Sequence, residues 1–110
     1  MHMILRTHSG ELAMKVFELI ASNYQSVDNT LRACDGFVSY TLARSGDRGY
    51  SITVAQSKSA AEDVIRCAKK WVVDNAHTLG LQQGAIGFDP ASLEFDQPTE
   101  TEAEILIHAV

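Results

Sequence analysis

Apolar and polar positions alternate twice between Cys34 and Ser59. Val38, Tyr40 and Leu42 alternate with Ser39, Thr41 and Ala43, and Tyr50, Ile52 and Val54 alternate with Ser51, Thr53 and Ala55. A strict period of two over this length predicts two strands, each with one apolar face. The connection Ser45-Gly46-Asp47-Arg48-Gly49 carries two glycines, which suit a hairpin turn because they reach positive φ cheaply. Pairing Arg44 with Tyr50 across it would put Val38, Tyr40, Leu42, Tyr50, Ile52 and Val54 on one face and leave a small, hydroxylic face opposite.

Before the hairpin the period changes to that of a helix. Leu12, Val16, Leu19 with Ile20, Asn23, Val27 and Leu31 recur on one side, and Met14, Phe17 and Tyr24 widen the stripe. Ser9 is the expected cap, with Glu11 and Glu18 in the N-terminal half, where the helix dipole favours them. Ser22-Asn23 and Asp28-Asn29-Thr30 are poor helix formers, so a frayed or broken region is expected before the helix ends near Asp35-Gly36. After the hairpin, Ser59-Ala60-Ala61-Glu62 fits a capping box. The helix it opens carries Ala61, Val64, Ile65, Ala68, Trp71, Val72, Asn75 and Leu79 on one broad face, with Arg66, Lys69, Lys70 and Asp74 mostly opposite, and Gly80 just past its end.

His2 to His8 reads as a first strand and Glu102 to Val110 as a last one. Leu81 to Thr101 holds both prolines and two glycines. It is expected to be a long irregular arm, with one helical turn around Pro90-Ala91-Ser92-Leu93, that lids a site or dresses an interface.

The order strand, helix, strand, strand, helix, strand predicts an α+β fold over residues 1–110 as one domain. It is the ferredoxin-like plait, a four-stranded antiparallel sheet in the order 4-1-3-2 with both helices on one face. The other face would be bare. Strands 1 and 4 carry apolar residues of both parities, and a patch of that kind exceeds the few hundred Å² that monomers tolerate. The expected cover is a second copy, face to face, as a homodimer.

Charge narrows the partners. The 110 residues are 45% apolar and 21% charged, with a net charge of −5. Such a chain lacks the clustered Lys and Arg that nucleic acid requires, and it is unsuited to an anionic membrane surface. No apolar run approaches the roughly 20 residues of a spanning helix. The N-terminus lacks a signal-peptide pattern, so a cytoplasmic location is expected. Cys34 and Cys67 are far apart in sequence and lack a CxxC arrangement, so two reduced, half-buried thiols are expected, with a disulfide as the alternative. A lowered Cys67 pKa from Arg66 and Lys69 is the alternative to a small buried residue. The four histidines show no HxH or HExxH spacing, so no metal is expected, although antiparallel pairing of the outer strands would bring His2 near His108.

Three stretches resemble a known group. These are the Asp35-Gly36-Phe37-Val38-Ser39-Tyr40 entry, the Ser-Lys-Ser-Ala-Ala-Glu exit into the second helix, and the ending Thr101-Glu102-Ala103-Glu104-Ile105-Leu106-Ile107-His108. Together they resemble the dimeric α+β barrel superfamily, in particular its antibiotic-biosynthesis-monooxygenase-like and stress-responsive members. The resemblance implies a cofactor-independent monooxygenase, or a protein binding an aromatic or polycyclic small molecule between helices and sheet. Its alternatives are a non-catalytic stress-related ligand-binding dimer and a haem-binding, haem-degrading protein.

Candidate site residues follow. Trp71 and Asn75 are one helical turn apart and share a face, with Tyr40 aimed at them from the sheet. Tyr40 and Trp71 would wall the pocket, Asn75 and His77 would act on the ligand, and Arg44 or Arg6 would meet an acidic group. The competing reading makes Tyr40 and Trp71 core, Asn75 a half-buried helix-end residue and His77 a solvated one. For haem, the histidine would be His77. The first strand, with Arg6-Thr7-His8, lacks the asparagine of the haem-degrading branch, and Trp71 and His77 are closer together than in that branch.

Overall fold

The computed structural model describes residues 1–75 and 99–108. Its elements are β1 (His2–Ser9), α1 (Glu11–Ser22), α2 (Tyr24–Arg32), β2 (Phe37–Ser45), β3 (Arg48–Ala55), α3 (Lys58–Asn75) and β4 (Thr99–Glu104). The strands form one antiparallel sheet in the order β2-β3-β1-β4. This is the expected ferredoxin-like arrangement. His77, Leu79, Gly80 and the arm up to Pro98 lie outside the described residues.

Register decides which side chains meet the helices. On β1 the even residues Ile4, Arg6 and His8 are buried, and they pair with Thr53, Ser51 and Gly49 of β3. Across the hairpin, Ser45 pairs with Arg48 and Arg44 with Gly49, leaving a two-residue turn at Gly46-Asp47. The expected Arg44–Tyr50 pairing is therefore off by one residue, and a one-residue slip sends a whole strand's side chains to the other face. Tyr40 and Leu42 pack against the helices, while Tyr50, Ile52 and Val54 lie on the opposite face, in register with Met3 and Leu5 of β1. An irregularity between Phe37 and Ser39 restores the phase, so that Phe37 also packs on the helical core.

The long helical stripe breaks at Asn23, as its poor helix formers suggest. The Asn23 backbone N–H bonds to Ile20 O at 3.1 Å and its side-chain amide to Leu19 O at 2.8 Å, ending α1 before α2 begins. Asp28-Asn29-Thr30 stay helical, helped by Asp28 paired with Arg32 at 2.9 Å. Both expected caps are displaced. Gly10, at φ 102, precedes α1 and no side chain caps it. Ser57 Oγ accepts the Ala60 N–H at 3.1 Å, so α3 starts at Lys58, ahead of the expected Ser59 cap.

The main core cluster joins α1, α2 and α3 through Val16, Leu19, Ile20, Val27, Leu31, Val64, Trp71 and Val72. Two glycines allow the layers to approach. A Cβ on Gly36, at φ +81, would lie 2.8 Å from the Ala60 Cβ, and one on Gly49 would lie 2.5 Å from the Phe17 ring.

The last strand also departs from expectation. It occupies Thr99–Glu104, so Ile105 to His108 lie beyond it, with Leu106 and Ile107 exposed. What pairs with β1 is an acidic strand: Glu100, Glu102 and Glu104 stand opposite Arg6, Ile4 and His2. Glu102 meets Lys58 at 3.2 Å and His2 at 3.9 Å. His2 therefore faces Glu104 in the register, and the expected closeness to His108 has no basis in the strand pairing.

Candidate functional site

Among the hollows that the described residues form between sheet and helices, two share Tyr40 and Ile20 in their lining. The inner one measures about 50 Å³ and is bounded by Arg6, His8, Ser51, Phe17, Ile65 and Lys69 as well. That volume holds a few water-sized groups. The outer one is a groove of about 520 Å³ between β2 and the α1–α2 pair, within the range of small-molecule sites. Its floor is apolar, from Val27, Leu31, Phe37 and Leu42, and Tyr24, Asp28 and Arg32 supply polar groups. The Arg32 guanidinium also lies 5.7 Å from the Phe37 ring centre, in cation–π range.

Polar groups enter the inner hollow because β1 puts Arg6 and His8 on its buried face, among the apolar Val16, Phe17, Ile65, Ala68 and Val72. The Arg6 Nε is 3.3 Å from Glu100 Oε2, an ion-pair distance, but it forms no aligned hydrogen bond. Burial lowers the His8 pKa to about 4, and the charges of Arg6 and Lys69 add to the effect. His8 is therefore neutral at pH 7, with its ring edge-on to Phe17 at 5.7 Å between centres. Burial pushes the Tyr40 phenol up to about 12, partly offset by Arg6. It stays protonated and can donate a hydrogen bond.

The sequence candidates separate in space. Tyr40 stands at both of these hollows, Trp71 and Asn75 line neither, and Arg44 lines a separate hollow of about 360 Å³ between α1 and β2. The Trp71 indole N–H donates to Ser26 Oγ at 3.0 Å, and its ring belongs to the helical core. The Asn75 amide donates to the Trp71 carbonyl at 2.8 Å, along its own helix. Arg44 pairs with Glu18 at 3.2 Å on the exposed side of α1. His77 lies outside the described residues. The residues brought together instead are Arg6, His8, Ser51 and Lys69. Their signal was the parity of β1: Arg6 and His8 continue the buried row of Ile4. Among the described residues no group of three or more His, Cys, Asp or Glu is placed to hold a metal ion. No described helix is long and apolar enough to cross a membrane.

No family model matches the chain, and no curated protein matches it. Solved structures do. A dimeric ferredoxin-like protein from an uncultured marine organism aligns over 99% of this chain and 96% of its own, with a TM-score of 0.58 and 11% identity. A Streptomyces coelicolor monooxygenase from the gene ActVA-Orf6, in complex with nanaomycin D, aligns over 99% and 90%, with a TM-score of 0.58 and 16% identity. The Mycobacterium tuberculosis haem degrader MhuD, with two haems bound in its active site, aligns over 100% of both chains, with a TM-score of 0.55 and 12% identity. The fold is thus that of the dimeric ferredoxin-like α+β barrel structures, a frame shared by proteins of different activity.

Proposed function

We propose that the chain is a cofactor-independent monooxygenase for an aromatic or polycyclic phenol, working as a homodimer. The observation that carries this reading is the position of Tyr40, between a groove of about 520 Å³ with an apolar floor and a small hollow lined in part by Arg6 and His8. The ring system would lie in the groove, with its hydroxyl turned toward Tyr40. Neutral His8 takes the phenolic proton, and the Arg6 guanidinium stabilises the phenolate. The electron-rich anion then reduces dioxygen. At an activated ring methylene, one oxygen atom becomes the carbonyl and the other leaves as water with the two methylene hydrogens. All four electrons that reduce the dioxygen come from the substrate methylene, so no flavin or metal is required. The apolar groove keeps water from the anion.

The homodimer reading rests on the sheet face turned away from the helices. The observed register puts Tyr50, Ile52 and Val54 beside Met3 and Leu5 there, an apolar centre suited to a second copy.

Oxygen consumption with an anthrone-type phenol, without added flavin or metal, tests the activity. Uptake that falls at least tenfold in His8→Gln and Arg6→Gln supports the reading. Saturable binding of the same phenol without oxygen uptake would instead favour a non-catalytic ligand-binding dimer, and neither binding nor uptake would overturn both.

A further inference from the structure

Cys34 and Cys67 are distant in sequence, yet their sulfur atoms lie 2.6 Å apart. A formed disulfide measures about 2.05 Å between sulfurs. Both thiols are free and half-buried. We propose that they form a reversible intramolecular disulfide that fastens the exit of α2 to α3, exchanging with a low-molecular-weight thiol–disulfide couple such as glutathione.

The backbone around Cys34 is already fixed for this. Its N–H bonds to Leu31 O at 3.0 Å, and its carbonyl accepts the Phe37 N–H at 3.2 Å. Cys67 sits inside α3, held by helical bonds on both sides. Closing the bond therefore asks little of the chain, and this preorganisation favours intramolecular closure over a second external thiol. A metal is the other common occupant of a thiol pair, but no third ligand stands beside these two among the described residues.

The chemistry balances as a two-electron exchange. A thiolate of the pair attacks the external disulfide and expels one external thiolate, leaving a mixed disulfide. The second protein thiolate attacks the protein sulfur of that bond and expels the other external thiolate. Two protein thiols and one external disulfide become one protein disulfide and two external thiols. Burial and the Cys67 contact push the Cys34 thiol up to about 11, so exchange should quicken as pH rises above neutrality.

Leu31, Arg32 and Phe37, which flank Cys34, line the 520 Å³ groove. Oxidation would hold that wall of the groove against α3. This consequence for ligand binding rests on the function proposed above, whereas formation of the bond does not.

The full chain is equilibrated with oxidised glutathione at pH 8, quenched by alkylation, and analysed by intact mass and peptide mapping. The expected product is a monomeric chain lighter by two hydrogens, with no alkylated thiol and a Cys34-to-Cys67 cross-linked peptide pair. Its unfolding midpoint should rise by roughly 5 °C or more and return on reduction. Cys34→Ser and Cys67→Ser should each take up one glutathione and show no such rise. Two glutathione adducts on the wild-type chain, two thiols still free, or a bond between chains would overturn the proposal. Phenol affinity is then compared between oxidised and reduced wild type. A cross-link formed without any change in affinity would count against the groove reading alone.

Discussion

The Trp71 indole donates its N–H to Ser26 Oγ at 3.0 Å, joining α3 to α2 inside the helical layer. This hydrogen bond gives the indole a structural task away from the groove. Trp71→Phe should therefore cost about 1–2 kcal/mol of stability, from repacking and the lost bond, and leave phenol affinity unchanged. Denaturant unfolding with a parallel binding titration checks both, and Ser26→Ala completes a double-mutant cycle. Affinity reduced more than threefold in Trp71→Phe would return the indole to the binding site.

Acid should loosen the fold through His8. Its folded pKa, about 4, lies below its ordinary 6.5. Above pH 6.5 both states carry a neutral ring and the residue is indifferent to pH. Between 6.5 and 4 the unfolded chain takes up a proton that the native chain resists, so stability falls as pH falls. The loss should reach on the order of 1–3 kcal/mol by pH 4. His8→Gln should flatten that part of a stability–pH curve, and a curve identical to wild type would refute the assignment.

Gly49 and Gly46 should respond to alanine for different reasons. A Cβ at Gly49 meets the Phe17 ring and the Met14 methyl, so those side chains must shift or α1 must move away from β3. Gly49→Ala should cost about 1–3 kcal/mol. At Gly46 there is open space but φ is +62, so Gly46→Ala should cost about 1 kcal/mol through backbone strain alone. Thermal unfolding of the two variants ranks them, and the reverse order would contradict the close packing of α1 on β3.

The sheet face turned away from the helices should hold a second copy. Light scattering at micromolar concentration should give the mass of two chains, and Ile52→Asp should give the mass of one by burying a charge in the contact. Monomeric wild type would remove the dimer from the proposed function.

Strand order and helix placement were legible because period-two and period-3.6 patterns bound them tightly. The break at Asn23 was legible for the same kind of reason, from local propensity. The hairpin phase was not. Alternation is equally strict in either register, and the choice depends on whether Ser45 or Arg44 closes the turn. Nor was the site. Trp71 looked functional because it is large and singular, but size fits a core equally well. Arg6 and His8 share the parity of Ile4, but a charged and a polar side chain argue against burial, and they are buried only because β1 is enclosed between β3 and β4. Tyr40 was selected from sequence and stands at both hollows, although its expected partners Trp71 and Asn75 do not.

The acidic pairing of β4 also bears on what the protein avoids. A strand at a sheet margin exposes backbone donors and acceptors to any passing extended chain. Here Glu100, Glu102 and Glu104 occupy the margin among the described strands, and Arg6, His2 and Lys58 hold two of those carboxylates in place. A second acidic strand arriving alongside would bring like charges together, so this border repels its own kind. Neutralising the three glutamates as glutamines would remove that repulsion. The property at stake would then be how long a concentrated solution stays clear, a matter separate from both catalysis and folding stability.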